Sequence, residues 1–122
     1  MKEPSRTVDK PWGHELIWAH TERYVGKILH VKKGHSLSLQ YHNQKDETVM
    51  VLGGKMAFEF YREGETPEVV ELGPLEPFHI TPLLRHRMTA LEDTDIVEVS
   101  TTELDDVVRL EDKYGRAGTS KP

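Results

Sequence analysis

Nine short apolar or alternating segments, separated by Gly, Pro and charged turn residues, constrain the fold of this chain more than any other feature. They fall at 16–18, 24–31, 36–41, 48–52, 56–61, 68–72, 78–80, 87–91 and 96–100. Segments this short, recurring with turn signals between them, read as the strands of a sandwich or barrel. Lys32-Lys33-Gly34-His35, Gly53-Gly54-Lys55 and Glu63-Gly64-Glu65-Thr66-Pro67 are the clearest turns, and the alternation in Phe58-Glu59-Phe60-Tyr61-Arg62 marks a half-buried strand. After residue 100 the pattern changes: a Thr cap at 101–102 precedes Leu104, Val107, Val108 and Leu110 at helical spacing, which predicts a short C-terminal helix packed on the barrel. The expected organisation is one all-β domain, with residues 1–9 as an extension, 10–116 as the core and 117–122 as a frayed tail. At 122 residues and 36% hydrophobic content there is material for one small core.

On that strand pattern, Gln40-Tyr41-His42 is the most informative local motif. Residues two apart on a strand share a face, so Gln40 and His42 look the same way while Tyr41 looks the other. The polar stretch Asn43-Gln44-Lys45-Asp46 makes a short turn, and Glu47 opens the next strand beside them. His86 comes from a distant segment that follows the Gly73-Pro74 turn. Taken singly, each of these side chains reads as a satisfied structural polar group. Taken together, Gln40, His42, Glu47 and His86 form a mixed oxygen and nitrogen donor set for one divalent ion. Such a set suits zinc, manganese, iron or nickel better than calcium or magnesium, which prefer oxygen alone, and zinc is favoured.

Charge and composition exclude several classes. A net charge of −5 with 30% charged residues argues against nucleic-acid binding, which shows a basic excess or stripe. The chain has no cysteine, so thiolate sites and disulfides are excluded. No apolar run approaches bilayer length, and residues 1–10 lack the apolar stretch of a secretory signal, so the expectation is a soluble cytoplasmic protein with no membrane partner.

Gly34, Gln40-x-His42, Glu47 and Gly54, followed by the segment from Gly73 to His86, resemble the two signatures of the cupin superfamily, with Gln-x-His where His-x-His is usual. Leu83 stands where that family commonly has a turn glycine. Lys10-Pro11-Trp12-Gly13, Ser38-Leu39-Gln40-Tyr41-His42 and the stretch from Asp106 to Arg116 occur in the order found in one branch. By these motifs the chain resembles the cupin domain of type II mannose-6-phosphate isomerases, often fused to a mannose-1-phosphate guanylyltransferase. No glycine-rich phosphate loop with a following lysine appears, so sugar-nucleotide synthesis by this chain alone is not expected.

The resemblance implies a jelly-roll barrel whose inward strand residues converge on a metal, and a metal-dependent interconversion of mannose 6-phosphate and fructose 6-phosphate through an enediol. It points to Lys45, where the family has arginine, and to Arg87, which follows the metal histidine, as catalytic groups. Lys27, matching a family lysine on an early strand, and Arg116 are the implied substrate contacts. Lys27 and Arg87 read equally as charges facing water, and Trp12 as either a core plug or a sugar platform. A homodimer paired through sheet edges is also implied. Two other functions stay open: another metal-dependent cupin reaction (oxygenase, decarboxylase, epimerase or dehydratase) and a sugar-binding module without catalysis.

Overall fold

The computed structural model describes residues 1–119. Twelve strands run in chain order as β1 (Arg6–Lys10), β2 (Gly13–His20), β3 (Val25–Val31), β4 (Leu39–Tyr41), β5 (Glu47–Gly53) and β6 (Met56–Tyr61), then β7 (Glu68–Leu72), β8 (Pro77–Ile80), β9 (Arg85–Ala90), β10 (Thr94–Ser100), β11 (Val108–Glu111) and β12 (Gly118–Thr119). They form two six-stranded antiparallel sheets, ordered β1-β2-β3-β10-β5-β8 and β12-β11-β4-β9-β6-β7. This is the all-β, two-sheet architecture expected of a jelly roll, and every segment predicted as a strand contributes to one.

Period-two burial organises both sheets. In β10, Thr94, Ile96, Glu98 and Ser100 face inward; in β9, His86, Met88 and Ala90 do. The core between the sheets holds Trp12, Leu29, Val31, Val49, Val51, Met56, Phe58, Leu72, Ile80, Met88, Ala90 and Ile96. Trp12 is thus a core residue at the end of the cavity described below. The Phe58 ring packs 4.1 Å from that of Phe78 and lies parallel to the His86 imidazole at 5.9 Å. The tight β5–β6 turn depends on Gly54, at φ 95°, where a Cβ would come within 2.4 Å of the Asp93 carbonyl oxygen.

The C-terminal helix is not formed. Residues 101–107 make short turns, with Leu104 N–H donating to Thr102 O and Val107 N–H to Asp105 O, and the chain then enters β11 beside β4. Thr101 caps no helix; its Oγ1 accepts from Asp46 N–H at 3.0 Å. The tail is also more ordered at its start than predicted, because Gly118 and Thr119 pair with Arg109 and Val108, while residues 120–122 lie outside the described residues. Among the described residues no helix is long and apolar enough to cross a membrane.

Candidate metal centre

His42, Glu47 and His86 converge from the end of β4, the start of β5 and the start of β9. All three are buried, and one donor atom from each lies within 4.8 Å of the others. Glu47 Oε1 is 3.3 Å from His42 Nε2 and 3.8 Å from His86 Nε2. Each imidazole is oriented from behind: His42 Nδ1 lies 2.6 Å from the carbonyl oxygen of Asp106, and His86 Nδ1 lies 2.8 Å from that of Leu84. A ring whose Nδ1–H donates to a carbonyl presents the Nε2 lone pair on its far side. Both Nε2 atoms are buried without a hydrogen-bond partner among the described residues. Burial pushes the His86 imidazole down to about 4, so it is neutral near pH 7 and available as a donor. Two orphaned imidazole nitrogens and a carboxylate fit a divalent transition metal. Gln40 lies opposite His86 in the β4–β9 register and lines the same cavity; its Oε1 accepts from Ser38 Oγ at 2.6 Å.

Lys45 is buried at the same place, with Nζ 2.8 Å from Glu47 Oε2 and 3.4 Å from Glu98 Oε2. Burial alone would strip its charge, but Glu98 and Glu47 outweigh it and hold the ammonium above its ordinary value. Burial likewise opposes the Glu47 charge, yet Lys45 and the two histidines keep that carboxyl well below the usual range. Glu98 is pushed the other way, upward, by burial and by Glu47. The loop carrying Lys45 is pinned by Asp106, whose carboxylate accepts from the backbone N–H of Asn43, Gln44 and Lys45 at 3.0, 2.6 and 2.9 Å. Against its partial burial, these bonds hold the Asp106 carboxyl down to about 2.

Lys27, Arg116 and Lys10 line the same cavity, together with Glu15 and Arg109. Lys27 does not face water: it is 3% exposed, with Nζ 3.4 Å from Glu15. Arg116 forks onto Asp112, which accepts from Nε at 3.0 Å and Nη2 at 3.1 Å. Arg87 is not brought to the site. Period two on β9 turns it to the face opposite His86, where its Nη2 donates to Glu111 at 3.0 Å. Tyr114 packs on the core, with its hydroxyl 2.7 Å from His35 Nδ1.

Glu98, Asp106, Arg109 and Glu15 were not singled out from sequence. For Glu98 and Glu15 a signal was present: each is a charged residue at an inward position of a strand, in step with Ile96 and Ile17 respectively.

Residues 1–112 match the family described as mannose-6-phosphate isomerase C-terminal. The chain belongs to that family. Its members include long proteins: the mannose-1-phosphate guanylyltransferase ManC of Salmonella typhimurium is 37% identical over 119 residues, covering 91% of this chain and 23% of ManC. The xanthan biosynthesis protein XanB of Xanthomonas campestris is 33% identical over 116 residues, covering 91% of this chain and 24% of XanB. The chain therefore spans about a quarter of the length of the curated relatives it matches. Among solved structures, CapF with its inhibitor 3-isopropenyl-tropolone superimposes with a TM-score of 0.75 at 21% identity, over 91% of this chain and 35% of CapF. At that identity the likeness shows the cupin fold alone.

Proposed function

We propose that this family domain is a divalent-metal-dependent sugar-phosphate isomerase that interconverts mannose 6-phosphate and fructose 6-phosphate. The observation that carries the reading is the pair of buried, orphaned Nε2 atoms of His42 and His86 beside Glu47, with His42 and Glu47 in the wall of a cavity also lined by Lys27, Lys45 and Arg116. His42, Glu47 and His86 would hold the metal, with Gln40 as the fourth donor. Moving a proton between C2 and C1 requires a base and an electrophile for the developing oxyanion. A bound divalent ion supplies the electrophile. Lys45, kept charged, is suited to donate to that oxyanion rather than to act as the base. Glu98, whose Oε2 is 3.4 Å from Lys45 Nζ, is the adjacent carboxylate that can accept a proton. Lys27 and Arg116 contribute positive charge for the substrate phosphate.

One observation favours a second reading, a sugar-phosphate-binding module without turnover. The single carboxylate of the donor set has one oxygen engaged by Lys45, a compact cation where relatives carry the planar fork of arginine.

The test is elemental analysis of protein purified without a metal-affinity tag, combined with a coupled mannose-6-phosphate isomerase assay before and after chelation. About one redox-inert ion per chain with chelator-sensitive turnover is expected. Tight mannose 6-phosphate binding without turnover moves the assignment to the binding module, and a redox-active ion without isomerisation moves it to another cupin reaction. A site that is empty and cannot be refilled overturns the metal reading.

A further inference from the structure

We propose that Arg109, flanked by Lys10 and Arg116, is the receptor for a phosphomonoester dianion in this cavity. Arg109 sits on β11, is 6% exposed and lines the cavity. Its Nε and Nη1 are buried with no hydrogen-bond partner among the described residues. A guanidinium is charged at any accessible pH and offers a rigid fork of N–H donors. Burying it without an acceptor is strongly unfavourable, as when one half of a buried ion pair is stranded. A side chain held in this way is arranged for an acceptor that arrives from outside.

The charge balance around it names the acceptor. Lys10, Lys27, Arg109 and Arg116 share the cavity with Glu15, Arg116 pairs with Asp112, and Lys45, Glu47 and Glu98 complete the charged lining. Glu15 is already engaged by Lys27 and Asp112 by Arg116. Lys10 and Arg109 are left with no carboxylate in ion-pair range among the described residues, a pair of cations that matches a phosphate monoester carrying about −1.5 to −2 near neutral pH. A monocarboxylate would leave one of them unmet, and a neutral sugar would leave both.

Register fixes where this receptor lies relative to the metal donors. Arg109 is opposite Gln40 in the β11–β4 pairing, and Gln40 is opposite His86 in the β4–β9 pairing. The three residues therefore form one row across neighbouring strands. Two inter-strand steps separate Arg109 from His86, roughly 10 Å between their backbones. A phosphate on Arg109 leaves the rest of an open-chain hexose running along the row toward His42, Glu47 and Lys45. The inference rests on the sugar-phosphate reading for the identity of the sugar, but the anion receptor itself can be tested without turnover.

Calorimetric titrations of inorganic phosphate, mannose 6-phosphate and mannose into the full chain, parent against Arg109→Gln, test it. The parent should bind both phosphates, and the variant should bind them ten- to a hundredfold more weakly, the scale of losing charge-assisted hydrogen bonds. Metal stoichiometry should not change. In phosphate-free buffer Arg109→Gln should melt at or above the parent, because it removes an unpaired buried charge, and phosphate should raise the melting temperature of the parent only. Arg109→Lys, which keeps the charge and loses the fork, should fall between the two.

Equal phosphate affinity in parent and variant overturns the proposal while leaving the sugar-phosphate reading intact. A parent that binds neither phosphate overturns the proposal and the sugar-phosphate reading together. A variant that melts well below the parent in phosphate-free buffer also overturns it, since that marks a structural arginine. Arg109-dependent phosphate binding without isomerisation sustains the receptor and removes the isomerase.

Discussion

At one end of the cavity Glu47 and Glu98 face a single ammonium, Lys45, with two imidazole nitrogens beside them; toward Arg109, Lys27 pairs with Glu15 and Arg116 with Asp112, and Lys10 and Arg109 have no carboxylate partner among the described residues. Both ends are assembled from inward positions of short strands, yet they are built to opposite rules. The first end is organised by direction: each histidine ring is held from behind by a backbone carbonyl, so that its free nitrogen points at a common spot. The second is organised by unpaired positive charge, with Nε and Nη1 of the buried Arg109 guanidinium lacking an acceptor among the described residues. A small cation needs a few donors aimed at one point, whereas a polyatomic anion needs donors spread over a surface. On the proposed reading, the contrast would let a domain with a net charge of −5 receive an anionic sugar.

The largest expected effect breaks the first end alone. Alanine at Glu47 and at His86 should each drop bound metal from about one ion per chain to less than about a tenth, because three donors are the minimum for a tight transition-metal site. Elemental analysis of both variants purified beside the parent checks this. Equal stoichiometry in all three proteins would mean that these side chains are a structural polar cluster. Phosphate affinity at the Arg109 end should survive in either variant, which sharpens the comparison by showing that the two ends bind independently.

Acid should act on the same end through protonation. His86 is held down to about 4 in the fold against about 6.5 in the unfolded chain, so below 6.5 the unfolded state binds more protons. Metal-free protein should therefore lose stability as pH falls from about 6.5 to about 4, by an amount on the order of 3 kcal/mol. Glu47, held below the carboxylate range, adds in the same direction: its contribution is present above about 4.5 and is lost as acid protonates it. Urea unfolding of chelated protein at a series of pH values measures the slope. Glu98, pushed upward by burial and by Glu47, acts in the opposite direction, so the slope is read as the difference between the parent and His86→Asn; no difference between 6.5 and 4 would show that His86 is not held neutral by its surroundings.

Much of this was legible in the residues. Strand positions could be read because a period of two, broken by Gly and Pro, is a local signal, and the candidate donors Gln40 and His42 because they repeat that period on one face. The same period places Arg87 on the face opposite His86, so its expected place in the site conflicted with the rule that found Gln40 and His42. Leu83, standing where relatives have a turn glycine, keeps the turn by adopting φ 73°, and its N–H donates to His42 O at 2.6 Å. The turn is thus preserved at the cost of an unfavourable backbone conformation. The C-terminal segment was misread because Leu104, Val107, Val108 and Leu110 do repeat at helical spacing. What decides its shape is tertiary: Val108 and Arg109 find partners on β4, and β-branched residues suit that edge. No single-chain pattern reveals a partner strand about seventy residues away.

That misread segment joins the two ends, and Asp106 shows how. Its carboxylate collects the N–H groups of Asn43, Gln44 and Lys45, its carbonyl orients His42, and three residues later the chain delivers Arg109 to the anion end. Asp106→Ala removes the carboxylate and leaves the carbonyl. The loop then loses three acceptor contacts, a cost of about 1–3 kcal/mol after allowing for water that replaces them at this half-exposed position. Lys45 and Glu47 are held less firmly, so metal affinity should weaken by roughly ten- to a hundredfold, as for other losses of outer support around a site. Phosphate affinity should change less than threefold, because Arg109 keeps its pairing with Gln40 through β11 and β4. Chemical denaturation, a competitive metal titration and phosphate calorimetry on one preparation separate the three quantities. If metal and phosphate affinity fall together by the same factor, the two ends are not independent, and Asp106 holds them as one unit.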